Sequence, residues 1–407
     1  MTPHRPINAF TLSLIFTLAA CGESAGPPAP DVTATDSLGI VVRTYGHTDE
    51  HLETWGHDPD PILQLGALDG DTPDVFGRIT SLRIMPDGGV VVSDALAGEI
   101  RSFSATTEHL GSVGGLGEGP GEFSNSVSLL RVTGDSIWAW DQRQQRVSVF
   151  ADGVFVTSWS TLGELVLSRA VLVGSQVFGQ SNMRLTGLPE TGMSRPSVHF
   201  AVIGENGPSS SLFEIEGHER YLDIQQANGQ ITSVNVFQPP FARGPFFGVV
   251  ATESGPRVIG GPNDRLVLRE WNEDGELRAI HRYPAMDRPV TEALLERARQ
   301  RTIERYDEPT AQMRQEVATV ESEVPDYLPA FDRVWGDDEN RLWLRRSTED
   351  GVEEWLVLLL EDLSPAARII LPAGFALLDV RDGLLGGYWL DEFDVSHAHV
   401  YRLRVGR

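Results

Sequence analysis

Cysteine is all but missing from this chain. Cys21 stands alone in 407 residues, so no disulfide can form within the chain and the fold must hold by packing. Basic side chains are also scarce. Thirty-three of them face 58 acids, giving a formal charge of −25 and a pI near 4.7. That balance excludes the basic stripe a nucleic-acid surface needs. It also repels anionic headgroups, so electrostatic attachment to a membrane is not expected. The N-terminal apolar run from Ala9 to Ala20 is too short to span a bilayer and stay there. No H-E-x-x-H or EF-hand loop occurs.

What the chain does contain is a repeat. Around the glycine-rich stretch Gly111 to Phe123, two similar segments align: Ser81 to Ser104 and Leu129 to Ala151. Arg83 meets Arg131, Asp94 meets Asp141 and Phe103 meets Phe150, a period of about 47 residues. Each segment holds short apolar runs separated by turns such as Pro86-Asp87-Gly88-Gly89, Gly134-Asp135 and Asp152-Gly153. Short strands repeating at that period are the mark of propeller blades. Four-strand patterns recur at Leu165 to Ile215, Phe246 to Tyr283 and Phe331 to Leu371, with an extra hairpin at Tyr221 to Val236 turning at Asn228-Gly229. The last pattern, Phe375 to Val405, supplies only three strands, and a spare strand at Ile62 to Gly66 is available to complete it. Between Thr291 and Tyr306 the period changes to 3.6, and a second short helix follows Pro309. The expected fold is therefore all-β. It is a six-bladed propeller of four-stranded antiparallel blades over 37–407, with a helical insertion near 290–320.

The N-terminus carries an address. Leu18-Ala19-Ala20-Cys21 ends the apolar run and resembles the lipobox of bacterial lipoproteins, in which the chain is cut before a cysteine that then carries acyl chains. This resemblance implies a signal peptide over 1–20, lipidation at Cys21 and a Pro-rich flexible tether over 21–36. Gly22 follows the cysteine where Asp would retain the protein at an inner membrane, which favours the outer membrane. The exported, lipid-anchored chain would meet the membrane through Cys21 and an envelope protein or small-molecule ligand through the propeller. No nucleic acid and no cofactor are expected.

GEGPGEF at Gly117 to Phe123 resembles the inter-blade signature of bacterial six-bladed β-propeller lipoproteins, relatives of the NHL and TolB-like propellers. The closing segment Tyr388 to Arg404 and the opening Asp36 to Val42 are similar to that family's closing elements. The resemblance implies a fold and export rather than an activity.

Several residue sets could carry chemistry. The glycine-rich loop has neither P-loop nor dinucleotide spacing, and Glu118 and Glu122 would repel phosphate, so it reads as a connector. Asp94 and Asp141 could offer oxygens to Ca²⁺, but as the last residues of second strands they suit backbone N–H groups of the following turn. Arg83 and Arg131 occupy equivalent first-strand positions, which line a propeller axis. There they could fork onto a carboxylate or phosphate, or pair with local acids. His397 and His399 lie on one strand face, half of a zinc site without a third ligand in sequence. His47, His51 and His57 form a looser cluster. The tryptophans at 138, 140, 343, 355 and 389 fall in strands and suit packing between blades. The function expected is a non-catalytic binding scaffold at the envelope. The alternative is a metal-dependent hydrolase or lyase with its site on the axis.

Overall fold

The computed structural model describes residues 32–406, apart from 47–50, 69, 182–189, 205–209, 229, 286, 305, 307, 309, 347 and 349–351. Cys21, residues 1–20, His47 and most of the expected tether lie outside the described residues.

Turn chemistry and apolar runs organise the chain into antiparallel sheets of consecutive strands. Ile79–Ile84, Val90–Asp94, Glu99–Phe103 and His109–Gly114 form one such sheet, in chain order. Val127–Thr133, Ser136–Asp141, Arg146–Ala151 and Val154–Ser160 form the next. Leu167–Val173, Gln176–Ser181, Ser197–Ile203 and Ser210–Glu216 follow, and then Pro245–Thr252, Gly255–Pro262, Val267–Trp271 and Leu277–Arg282. Arg333–Gly336, Arg341–Arg346, Glu354–Leu359 and Pro365–Ile370 precede the final set, Ala376–Arg381, Leu384–Leu390 and Ser396–Arg404. Leu63–Leu65 adds antiparallel to Ser396–Arg404 and supplies that sheet's fourth strand from the other end of the chain.

The first strands stand side by side. Ile79–Ile84 packs against both Val127–Thr133 and Ala376–Arg381, and contacts pass onward through Leu167–Val173 and Pro245–Thr252 to Arg333–Gly336. Arg333 Nη1 then donates to Leu377 O at 3.2 Å and bridges to the final sheet. The core follows this arrangement, because each apolar cluster joins two consecutive sheets. Val91, Val113, Phe123 and Phe150 lie between the first two, for example, and Trp343, Trp355, Phe375 and Leu385 between the last two. Sheets packed face to face around a common axis in this way make a β-propeller. Trp140, Trp343 and Trp355 are buried at these joints, with Trp138 and Trp389 packed at their margins.

The glycine-rich stretch is a folded connector. Leu116 pairs with Phe123, the Phe123 ring is fully buried, and Arg146 donates to the carbonyls of Glu118, Gly119 and Glu122. Gly114 has φ 101°, and a Cβ there would lie 2.7 Å from Gly98 O and 2.9 Å from the Phe123 ring, so the chain needs glycine at that point.

Two N-terminal segments depart from expectation. The tether was expected to run to Asp36, but Val32–Ser37 is a strand paired with Ile40–Tyr45. Leu38 and Gly39 take positive φ in the turn between them, and Asp36 Oδ1 accepts the Gly39 N–H. Ile40–Tyr45 lies parallel to Leu277–Arg282 and extends that sheet outward. The stretch before Asp60, to which the sequence reading assigned no strand, contains the strand Glu53–His57. This strand is parallel to Pro365–Ile370 and antiparallel to Ser396–Arg404, with Trp55 buried beneath it.

The hairpin expected at Tyr221 to Val236 is present as Arg220–Ala227 and Gln230–Phe237, with Gly192–Ser194 as a third strand. The helical insertion consists of helices Glu292–Glu304 and Ala311–Ser322, which pack together. Leu294, Ala298 and Thr302 form the buried stripe of the first helix. Backbone bonds from Val290 to Asp326 and from Leu328 to Arg288 close the base of the insertion. No described helix is long and apolar enough to cross a membrane.

Candidate functional site: an arginine-lined axial cavity

Alternation along the first strands sends every second side chain toward the axis. There a cavity of about 740 Å³ is walled by residues of every first strand, from Thr80 and Arg83 through Arg131, Arg169, Val250 and Arg333 to Asp379 and Arg381. Its size suits a small-molecule ligand. The chain contains no lysine, so all 33 of its basic side chains are arginines. Arginine as a residue type is therefore uninformative here, and what counts is which arginines lack a carboxylate.

Arg83 has one. Its Nη1 lies 3.2 Å from Asp379 Oδ1, whose other oxygen accepts the Ile84 N–H at 2.8 Å. Arg381 reaches Asp338 at 3.5 Å, and Asp337 is fully engaged by Arg341 and the Trp343 indole. Burial, followed by the opposing effect of Arg381 and the charge of Asp382, leaves Asp338 above the usual carboxylate range. Arg131 lies over the Trp138 ring and donates to Gly174 O in the next sheet at 2.6 Å.

Arg169 and Arg333, like Arg131, lack a carboxylate partner among the described residues. Arg169 lies over the Phe246 ring, 5.4 Å from its centroid, with no hydrogen-bond or ion-pair partner among the described residues. Arg333 donates only to the Leu377 carbonyl. Burial within the cavity wall lowers the pKa of both. Arg345 repels each of them, and Arg169 adds to the repulsion on Arg333, against partial relief from Asp332. Arg345 itself is satisfied twice, by Asp332 at 2.7 Å and by Glu353 at 2.7 Å. Burial alone would lower its pKa, but these two carboxylates hold it well above the ordinary value.

Both arginines singled out in the sequence, Arg83 and Arg131, thus line the cavity. The structure also gives each a role in joining neighbouring sheets, Arg83 to the last sheet and Arg131 to the third. The sequence reading missed Arg169, Arg333 and Arg381. The first-strand rule could have found them, but the third, fifth and last sheets follow the repeat too loosely to align.

The remaining candidates resolve into structure. Asp94 accepts backbone N–H groups from Gly77, Arg78 and Leu96, and Asp141 accepts from Ser124, Arg143 and Gln144. Both carboxylates tie a turn to the strand before it. His397 Nε2 meets Asp391, and His399 Nδ1 meets the Tyr401 hydroxyl. Burial and the neighbouring His397 push His399 down to about 4. Among the described residues no group of three or more His, Cys, Asp or Glu is placed to hold a metal ion.

No family model matches the chain, and no curated protein matches it. Solved structures of similar shape include a putative exported protein from Bacteroides fragilis, 12% identical with a TM-score of 0.45, the match covering 88% of this chain and all of that one. A member of the DUF4221 family from Bacteroides vulgatus is 11% identical with a TM-score of 0.47, over 85% of this chain and 98% of that one. A streptogramin B lyase is 11% identical with a TM-score of 0.35, over 82% and 96%. At these values the likeness concerns general shape, and the strand pairing itself establishes the propeller.

Proposed function

We propose that this chain is an exported, six-bladed propeller, lipid-anchored through Cys21 at the outer membrane, that binds a small ligand in its axial cavity without transforming it. The observation that carries the binding reading is the cavity, open to solvent and bounded by all the first strands. The six-blade count is supported by core clusters joining consecutive sheets in one cycle. The lipobox at Leu18 to Cys21 supports export and anchoring.

An axial metal centre is disfavoured by the side chains that line the axis. A divalent cation wants several converging oxygens or imidazoles. This cavity offers guanidiniums, and its carboxylates Asp337, Asp338 and Asp379 are already paired with arginines.

Two experiments test the proposal. Cys21→Ser should move the protein from the membrane fraction to the soluble one, and persistence of the variant in membranes would refute the anchor. Val171, which is 39% exposed on a first strand in the cavity wall, should block the cavity when replaced by Trp. Native mass spectrometry after incubation with a small-molecule envelope extract should find a ligand on the wild type, released unaltered, and none on Val171→Trp. An altered released molecule would instead favour an enzyme.

A further inference from the structure

Resting on the axial-cavity reading, we infer that the ligand is an organic acid with one carboxylate, held by Arg169 and Arg333, and an apolar body lying against Val171, Val250 and Trp335. Three observations support this. The first is local charge. Arg169, Arg333 and Arg345 face only Asp332 and Glu353, and both carboxylates are spent on Arg345. One positive charge is left over among these five groups, which a single carboxylate neutralises, while Arg131, elsewhere on the wall, is held by a ring and a carbonyl. The second is donor geometry. Arg169 keeps its donors unused and Arg333 has given one to a carbonyl, so two planar forks remain for the two oxygens of a carboxylate. The third is the rest of the wall, where Val171, Val250 and the half-buried Trp335 line the same cavity and offer little to a second charged group. The leftover charge is unfavourable in the ligand-free protein and is relieved on binding. This is differential stabilisation of the bound state without any catalytic group.

Isothermal titration of the purified protein with 3-phenylpropionate, 3-phenylpropionamide, acetate and inorganic phosphate tests the inference. The acid should bind and the amide should bind at least tenfold more weakly, as expected for loss of charge-assisted hydrogen bonds. Acetate, lacking the apolar body, should also be weaker, and phosphate should not compete better than acetate. Arg169→Gln and Arg333→Gln should each weaken the acid roughly tenfold while leaving the amide unchanged. Arg169→Gln should not lower the melting temperature, because it removes a charge without an acid partner, whereas Arg333→Gln also gives up the bond to the Leu377 carbonyl and is read from acid against amide binding alone. A purely structural arginine would lower it.

Arg169→Lys supplies a second readout. It would carry the only lysine in the chain, and acylation of that amine should be slowed by 3-phenylpropionate. Equal binding of acid and amide, or unchanged acid binding in both Gln variants, would overturn the carboxylate inference. If Val171→Trp abolishes that binding, the axial reading survives the loss. Acid binding that persists in Val171→Trp would overturn the axial reading itself, and failure of every probe to bind the wild type would overturn the inference.

Discussion

Replacing Asp379 by Ala should open the joint between the first and last sheets, and the structure sets the size of the effect. Strand ladders do not cross from Ile79–Ile84 to Ala376–Arg381. Asp379 instead joins them by accepting the Ile84 N–H at 2.8 Å and pairing with Arg83 at 3.2 Å. Ile84 is fully buried, so its amide would find no water and would cost about 1–3 kcal/mol when left unpaired. Arg83 is about one-third exposed, with a side-chain accessibility of 32%, so loss of its ion pair should add less than about 1 kcal/mol. The expected destabilisation is about 1–4 kcal/mol. Asp379→Asn keeps an acceptor for the amide and should cost about 1 kcal/mol. Arg83→Gln should cost no more than that, since the Ile84 bond survives. Urea unfolding of the three variants, followed by tryptophan fluorescence, orders them directly. The reasoning fails if Asp379→Ala lies within about 0.5 kcal/mol of Arg83→Gln, because the buried amide would then not dominate.

Three further predictions concern the repeat and two half-buried histidines. Asp94→Ala should cost about 3 kcal/mol in urea unfolding through the orphaned amides of Gly77 and Arg78. A cost comparable to that of an exposed Asp would refute that role. Gly114→Ala should cost at least about 2 kcal/mol from strain and overlap. Gly153→Ala, with φ 72° but no atom within 4 Å of its added Cβ, should cost about 1 kcal/mol, and equal costs would refute the close-approach account. His218 and His399 are each pushed down to about 4, chiefly by burial, with nearby arginines adding for His218 and His397 for His399. The unfolded chain binds protons on both near pH 6.5, so stability present above that pH should decline as pH falls from 6.5 toward 4. Unfolding between pH 6.5 and 5 should flatten in the His218→Gln, His399→Gln double variant, and an unchanged slope would show that other groups carry it.

Much of the fold is legible from local chemistry. The turns at Pro86 to Gly89, Gly134-Asp135 and Asp152-Gly153 set the hairpins, and the switch of period at Thr291 marks the helices. Val32–Ser37 is invisible to such reading because all six of its residues are exposed, so its pairing leaves no apolar alternation. Glu53–His57 is hidden for a different reason, since both its partners come from the far C-terminus. The candidate site was legible in part. A first-strand arginine can be placed at the axis from the repeat, but its partner cannot. Asp379 reaches Arg83 from nearly 300 residues away, while no acid among the described residues pairs with Arg169.

The pairing of Leu65 with Ala398 also fixes an order in time. The strand made among the first must wait for one made among the last, and Glu53–His57 waits for the same segment. Until Ser396–Arg404 emerges from the ribosome, the ring has an open seam and no enclosed axis. A nascent chain of this protein therefore stays threadable through nearly its whole synthesis and locks only at the end. Long-range pairing of this kind makes the final step slow. Truncations that remove only the last strand should leave a chain that never closes.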